Sequence, residues 1–284
     1  MGNALRMIPE PELRQNCNRL TSRDLEDRLL ASTPAIDNAV SRTVSLINAT
    51  ERQHLLQSAP IFRNLSSSER CEIGSLAGER RYSSRQVIVN EGDKRGDVLL
   101  IVSGRVKISQ TSHTGGEVIL RIRKAGDVVG GLGMSPREAH SSTIRAMEPC
   151  RALHWKAEDF DRLCSFSTTL HSNVVQDMNN MLRVLQDCFC ELATLKVSSR
   201  LARTLLRLAE QHACEGQNVP IPLTCEELGQ MAGTTLFTVS RLLCKWTEMG
   251  LLYSANRGIV IEDMVGLLEV ADGSPLPANA LPVA

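Results

Sequence analysis

The sequence predicts an α+β fold in three consecutive parts: an N-terminal double-stranded β-helix of jelly-roll type, a long dimerisation helix and a C-terminal winged helix-turn-helix. Three observations carry this. Short apolar runs broken by regular turn clusters fill residues 81–155, a heptad seam follows them, and two capped helices separated by a glycine precede a hairpin. The 284 residues are enough for about two domains at roughly 150 residues each. With 42% hydrophobic and 23% charged residues the chain lies near the globular average, which excludes disorder throughout.

Residues 1–50 have balanced charge and one short helical stretch, which Thr21 or Ser22 could cap and which runs to Leu30; they read as a loosely ordered extension. From Ile61 a short helix is signalled by Ser66 and, three residues on, Glu69, a capping box followed by Ile73 and Leu76 on one face. The sensor-type β-roll is expected over 51–165. Its turns fall at Asn90-Glu91-Gly92-Asp93, Ser103-Gly104, Gly115-Gly116 and Ala125-Gly126-Asp127, with the run from Val98 to Val102 as a clear strand. Val118, Leu120 and Ile122 alternate with Ile119, Arg121 and Arg123, so the first set is expected inside and the second on a mostly polar face.

After Phe160 the period becomes helical. Val174, Met178, Met181, Leu185, Cys188, Leu192 and Leu195 repeat at four and three residues, an a/d seam that asks for a partner helix and places a dimer helix at 166–196. Packing on its own β-domain is the other reading, but a domain-facing helix usually has a wider stripe. Cys188 and Cys190 cannot share a metal ion, because two residues along a helix turn the side chains by about 200°.

Residues 197–271 read as the DNA-binding part. Leu201, Leu205, Leu208 and Ala209 form an apolar stripe flanked by Arg200, Arg203 and Arg207. A second capping box, Thr224-Cys225-Glu226-Glu227, opens a helix that Gly233 breaks, and Thr235 caps another that stops at Gly250. Leu251–Tyr253, an Asn256-Arg257-Gly258 turn and Ile259–Ile261 complete a wing. Such a unit puts the start of its second helix into the major groove, so Thr235, Leu236, Phe237, Thr238, Ser240, Arg241, Lys245 and Arg257 are the expected DNA-binding residues. Between Lys196 and Arg257 the charge favours basic residues by two. The tail 272–284, with three prolines in thirteen residues, is expected to be disordered.

Over about residues 51–270 this order resembles the CRP/FNR family of bacterial transcription regulators. The resemblance rests on Phe62-Arg63-Asn64-Leu65, Glu91-Gly92-Asp93, the stretch from Ile101 to Lys107, Ala125-Gly126-Asp127 and the stretch from Thr238 to Leu243. It implies a cyclic-nucleotide-binding-like roll, an effector that reorients the DNA-binding domains, and as partners double-stranded DNA with a two-fold symmetric site, a second copy of the chain and RNA polymerase.

Departures from the family pattern matter as much. Nucleotide-binding members carry a Gly-Glu-Leu and an Arg-Ser; here Gly130-Gly131-Leu132 and His140-Ser141-Ser142 mark the effector pocket, without the carboxylate or guanidinium that would anchor cAMP. The N-terminal cysteine cluster of iron–sulfur members is missing as well, since only Cys17 precedes Cys71. A haem, a thiol signal, an unrecognised small ligand or no effector stay open. In the recognition helix Phe237 stands where a Glu is common, which predicts a different half-site.

Thirty-two basic residues balance thirty-two acidic ones, so DNA binding must come from a local patch. No stretch approaches the roughly 18 apolar residues of a membrane span, and the chain starts without the apolar run of a signal peptide; a cytoplasmic protein without a membrane partner, its nine cysteines mostly reduced, is expected. No Gly-rich phosphate loop, nucleophile elbow or HExxH motif suggests an enzyme. The alternative is a cyclic-nucleotide-like sensor module acting through protein contacts without specific DNA binding.

Overall fold

The structure is a computed structural model that describes residues 47–133, 138–212, 220–255 and 258–273. The helix expected up to Leu30, the tail beyond Gly273 and Arg257 lie outside the described residues.

Helix α1 (Ala49–Ser58) starts on Asn48, whose side chain accepts from the Glu51 N–H. The sequence pattern does not signal it, because Leu56 alone of its residues is buried. With Ile47 also buried, the folded part begins before residue 51. A 3-10 turn (Pro60–Phe62) leads to α2 (Ser67–Ser75), which opens on the expected capping box: Ser66 and Glu69 exchange both bonds. Ile73 is buried, whereas Leu76 ends the helix and stays exposed. The Glu69 carboxylate also accepts from the Ser167 hydroxyl, chiefly for which its pKa is lowered.

Eight strands follow: β1 (Gly78–Tyr82), β2 (Val87–Val89), β3 (Val98–Ser103), β4 (Val106–Thr111), β5 (Glu117–Arg123), β6 (Val128–Gly130), β7 (Thr143–Ala146) and β8 (Cys150–Trp155). They pair antiparallel into two four-stranded sheets, β1-β8-β3-β6 and β2-β7-β4-β5. Leu99, Ile101, Val106, Val129, Ile144 and Ala152 fill the space between the sheets. On the outside of the first sheet Trp155 is fully buried between Phe62 and Phe160, with ring centroids 5.7 and 5.9 Å away. Its indole N–H donates to the Ile73 carbonyl at 2.8 Å, which fixes α2 on the sheet.

The expected phase of β5 is wrong. Ile119 is buried and Val118 is 44% exposed. The pairing explains it: Ser109 sits opposite Ile119 and Ile108 opposite Arg121, so Leu120 has no partner and forms a bulge that turns the strand's faces over. Beyond the bulge Arg121 and Arg123 lie on the side that the long helix covers, and Ile122 packs on the C-terminal core.

Helix α3 (Ala157–Phe166) and the 27-residue α4 (Thr168–Thr194) carry the chain away from the roll. Ser167 caps α4, and Leu170 and Val174 anchor its first turns in the roll's outer core. The C-terminal part comprises α5 (Val197–His212), α6 (Cys225–Ala232), α7 (Leu236–Glu248), the hairpin β9 (Leu252–Ala255) with β10 (Gly258–Ile261), and α8 (Met264–Ala271). Ile221 bridges to Ile259 and extends the hairpin by one strand position. Leu201, Leu205, Leu228, Val239, Trp246 and Leu267 form its core, all fully buried.

Candidate functional site

The helix-turn-helix is built by two caps and two glycines. Thr224 and Glu227 exchange both capping-box bonds at the start of α6. Gly233 ends α6 with φ +63°, a left-handed conformation that favours glycine. Gly229 has no side chain for a second reason: a Cβ there would lie 2.8 Å from the Thr234 carbonyl oxygen, so the turn can cross tightly. Thr235 then caps α7, its hydroxyl accepting from the Thr238 N–H at 3.3 Å.

Val239, Leu243 and Trp246 bury the inner side of α7. The outer side presents Phe237, Arg241 and Lys245, all exposed, at four-residue steps. Leu236, Thr238 and Ser240 are half-buried at its margin. Cys244 is also exposed here; the i, i+4, i+7, i+8 pattern starting at Phe237 reaches it, a signal that reading from the cap alone overlooks. Neither Arg241 nor Lys245 makes an ion pair among the described residues, so both cations are available to an anionic partner.

The other arginines counted as basic flank are spent inside the chain. Arg200 donates to the carbonyls of Leu195, Ala232 and Gly233, joining the end of α4 to the end of α6. Arg203 reaches Ala271 and Asp272, and Arg207 holds Glu191 at 2.6 Å. Glu191 is a buried carboxylate near the C-terminus of α4, so this pair also straddles the break between α4 and α5.

On α4 the expected seam separates into two sides. Val174 is 6% exposed and belongs to the roll core, while Met181, Leu185 and Cys188 are half-buried. Met178 and Leu192 are exposed, and Leu195 is the half-buried C-cap. The uncovered apolar stripe instead runs through Val175, Met178, Leu182, Phe189 and Leu192. It shares Met178 and Leu192 with the expected seam and lies one residue on from Val174, Met181 and Cys188. The sequence stripe is wide enough for two partners, and the roll takes the Val174 side. Cys188 faces a cleft within its own chain, where burial pushes its thiol pKa up.

Of the expected effector residues, Gly131 and His140 lie beside Arg95. Its guanidinium forms a two-pronged pair with Asp161 at 2.6 and 2.7 Å, and its Nε donates to the Gly131 carbonyl at 3.0 Å. A Cβ on Gly131 would lie 2.3 Å from the Gly96 carbonyl oxygen, so no carboxylate side chain fits there without backbone movement. His140 is buried and its Nε2 accepts from the Gly96 N–H at 3.2 Å, the bond of a neutral imidazole; burial lowers its pKa. Gly130 pairs with Val98 across the sheet, and half-buried Leu132 packs on the roll core. Ser141 is exposed, its carbonyl accepting from Gln110, and Ser142 is half-buried. The structure therefore brings Gly131 and His140 together around the 95–97 backbone, but as a closed hydrogen-bonded patch.

Comparison with known proteins gives two family matches, a cyclic nucleotide-binding domain over residues 79–166 and a Crp-like helix-turn-helix domain over residues 199–270. The chain is 28% identical over 184 residues to the cAMP-activated global transcriptional regulator CRP of Salmonella typhimurium, covering 64% of this chain and 88% of that protein. Among solved structures, a CooA variant from Carboxydothermus hydrogenoformans superposes with a TM-score of 0.60 at 25% identity, over 74% of this chain and 92% of the other. FixK2 from Bradyrhizobium japonicum shares the fold at a TM-score of 0.62 and 23% identity, over 72% and 99% of the two chains.

Proposed function

The chain belongs to the CRP/FNR family of DNA-binding transcription regulators, and on that premise we propose that it acts as a homodimer whose two α7 helices read a two-fold symmetric DNA site. The observation that carries this reading is the exposed Phe237–Arg241–Lys245 face, which runs from the first turn of α7 to its last and carries two cations without an ion pair among the described residues. The exposed stripe of α4 supplies the dimer contact. Residues 47–166 are the sensor roll, 168–194 the dimer helix and 197–271 the DNA-binding domain; RNA polymerase is the further partner, and the cytoplasm the place of action.

The effector is not cAMP. The Salmonella relative is described as cAMP-activated, but here Gly131 cannot carry the ribose-binding carboxylate and Arg95 is committed to Asp161. Arg241 is the base-reading residue, bidentate to a guanine, and Phe237 meets a thymine methyl.

Fluorescence anisotropy on fragments selected from a random library, across salt concentrations, tests this. Arg241→Ala should cost about 1–3 kcal/mol and relax preference at one base pair of each half-site. Lys245→Ala should weaken all sequences alike and reduce the salt slope by about 1. Equal weakening on every sequence by Arg241→Ala would reduce that residue to a phosphate contact. No binding to any fragment at low salt would overturn the reading.

A further inference from the structure

A cleft of about 590 Å³ runs along β5, the edge strand of its sheet, and is closed by Leu185 and Phe189 of α4, Leu208 of α5 and Met231 of α6. Its size is that of a small-molecule site. Sensor roll, long helix and DNA-binding domain all contribute walls to it. It is distinct from the Gly131–His140 patch, none of whose residues lines it.

Four cations, Arg121, Arg123, Lys124 and Arg207, line this cleft together with two carboxylates, Asp127 and Glu210. Arg123 spends its terminal nitrogens on Asp127 and Asp177, at 3.7 and 3.3 Å, while its Nε is buried with no hydrogen-bond partner. Arg207 is held by Glu191, and Lys124 donates to the Gln211 carbonyl. Arg121 is left over. It is half-buried and has no ion pair among the described residues, only a marginal 3.4 Å bond to the Asn180 carbonyl. Burial, and then the neighbouring Arg123 guanidinium, pushes its pKa down. Asp177 and Asp127 act on Arg121 only through space, without an ion pair, so two guanidiniums side by side in an apolar-walled cleft are costly for the empty protein.

We propose that this cleft binds a small organic monoanion, an apolar body carrying one carboxylate, with the carboxylate on the Arg121 guanidinium and the body against Leu185, Leu208 and Met231. Because the walls come from three parts of the chain, occupancy fixes the DNA-binding domain relative to the sensor. That coupling rests on the regulator reading above; the binding site does not.

The test uses the full chain with octanoate and octan-1-ol as probes, followed by calorimetry and thermal melting. Octanoate is expected to bind at least tenfold more tightly than octanol, since only the anion can form a charge-assisted hydrogen bond. Arg121→Gln should remove that preference, and Val118→Trp, at the exposed rim, should weaken both probes. Without ligand Arg121→Gln should melt at or above the parent temperature, as expected for a residue kept for function at a cost in stability. Octanoate binding unaffected by Arg121→Gln, no binding at millimolar octanoate, or a lower melting temperature of the unliganded variant would overturn the site. Arg121-dependent octanoate binding that leaves DNA affinity unchanged would sustain the site and remove the coupling. Absence of DNA binding with octanoate binding intact would remove the regulator reading alone.

Discussion

Phe189 is the most exposed residue of the α4 stripe, at 72%, in a row whose other members are 43–54% exposed. Fully burying such an aromatic side chain stabilises by about 3 kcal/mol at the upper end of the usual range, so covering the exposed part contributes about 2 kcal/mol per protomer. A two-fold interface counts it twice, about 4 kcal/mol, or close to a thousandfold in the dimer dissociation constant. Phe189→Ala is therefore expected to raise that constant by about three orders of magnitude, read by sedimentation velocity over a concentration series. Val174→Ala is the matched control. Val174 sits in the roll core, so its truncation should cost about 1–2 kcal/mol in urea unfolding and leave the dimer constant unchanged. Dissociation by Val174→Ala with Phe189→Ala still dimeric would mean that the partner meets the seam phase read from the sequence, and the stripe assigned from exposure would be refuted.

Gly131→Ala should destabilise the protein by roughly 1–3 kcal/mol in urea melts, because its Cβ would press on the Gly96 carbonyl; an unchanged midpoint would show that the patch is looser than described. The lowered pKa of His140 fixes a sign. The unfolded chain takes up a proton near the ordinary value of 6.5 while the folded one resists, so stability falls as pH drops below that value, and His140→Gln should flatten this fall in melts between pH 7 and 5. Glu191→Gln should leave Arg207 without its counter-charge, lowering thermal stability and altering DNA affinity together; a change in neither would show that the pair does not hold the α4–α5 junction.

Both capping boxes, the Gly233 break and the turn clusters were legible because each is a local rule: a hydroxyl three residues before a carboxylate, or a glycine where the backbone must turn left-handed. The Leu120 bulge was not, since an extra residue in one strand is visible only against its partner, and period-two reading carries straight through it. The exposed side of α4 was not legible for a related reason. Periodicity locates a stripe, but which side of it the chain's own roll covers depends on where Val174 docks. Arg200, Arg203 and Arg207 enter the basic excess of the C-terminal part because charge counts ignore carbonyls and carboxylates brought close by folding. Arg95, which decides the character of the Gly131–His140 patch, carried no motif, as its partner Asp161 is 66 residues away.

β5 ends its sheet, and an edge strand offers a row of unpaired backbone groups to any other chain that can add to it. In this protein the C-terminal domain stands guard over that edge: Gln230 of α6 bonds Glu117, Lys124 reaches Gln211, and Ile122 is tucked into the C-terminal core. Any displacement of α6 from β5 would uncover that row of backbone groups. A roll severed after α4 is therefore expected to self-associate through this edge more readily than the whole chain.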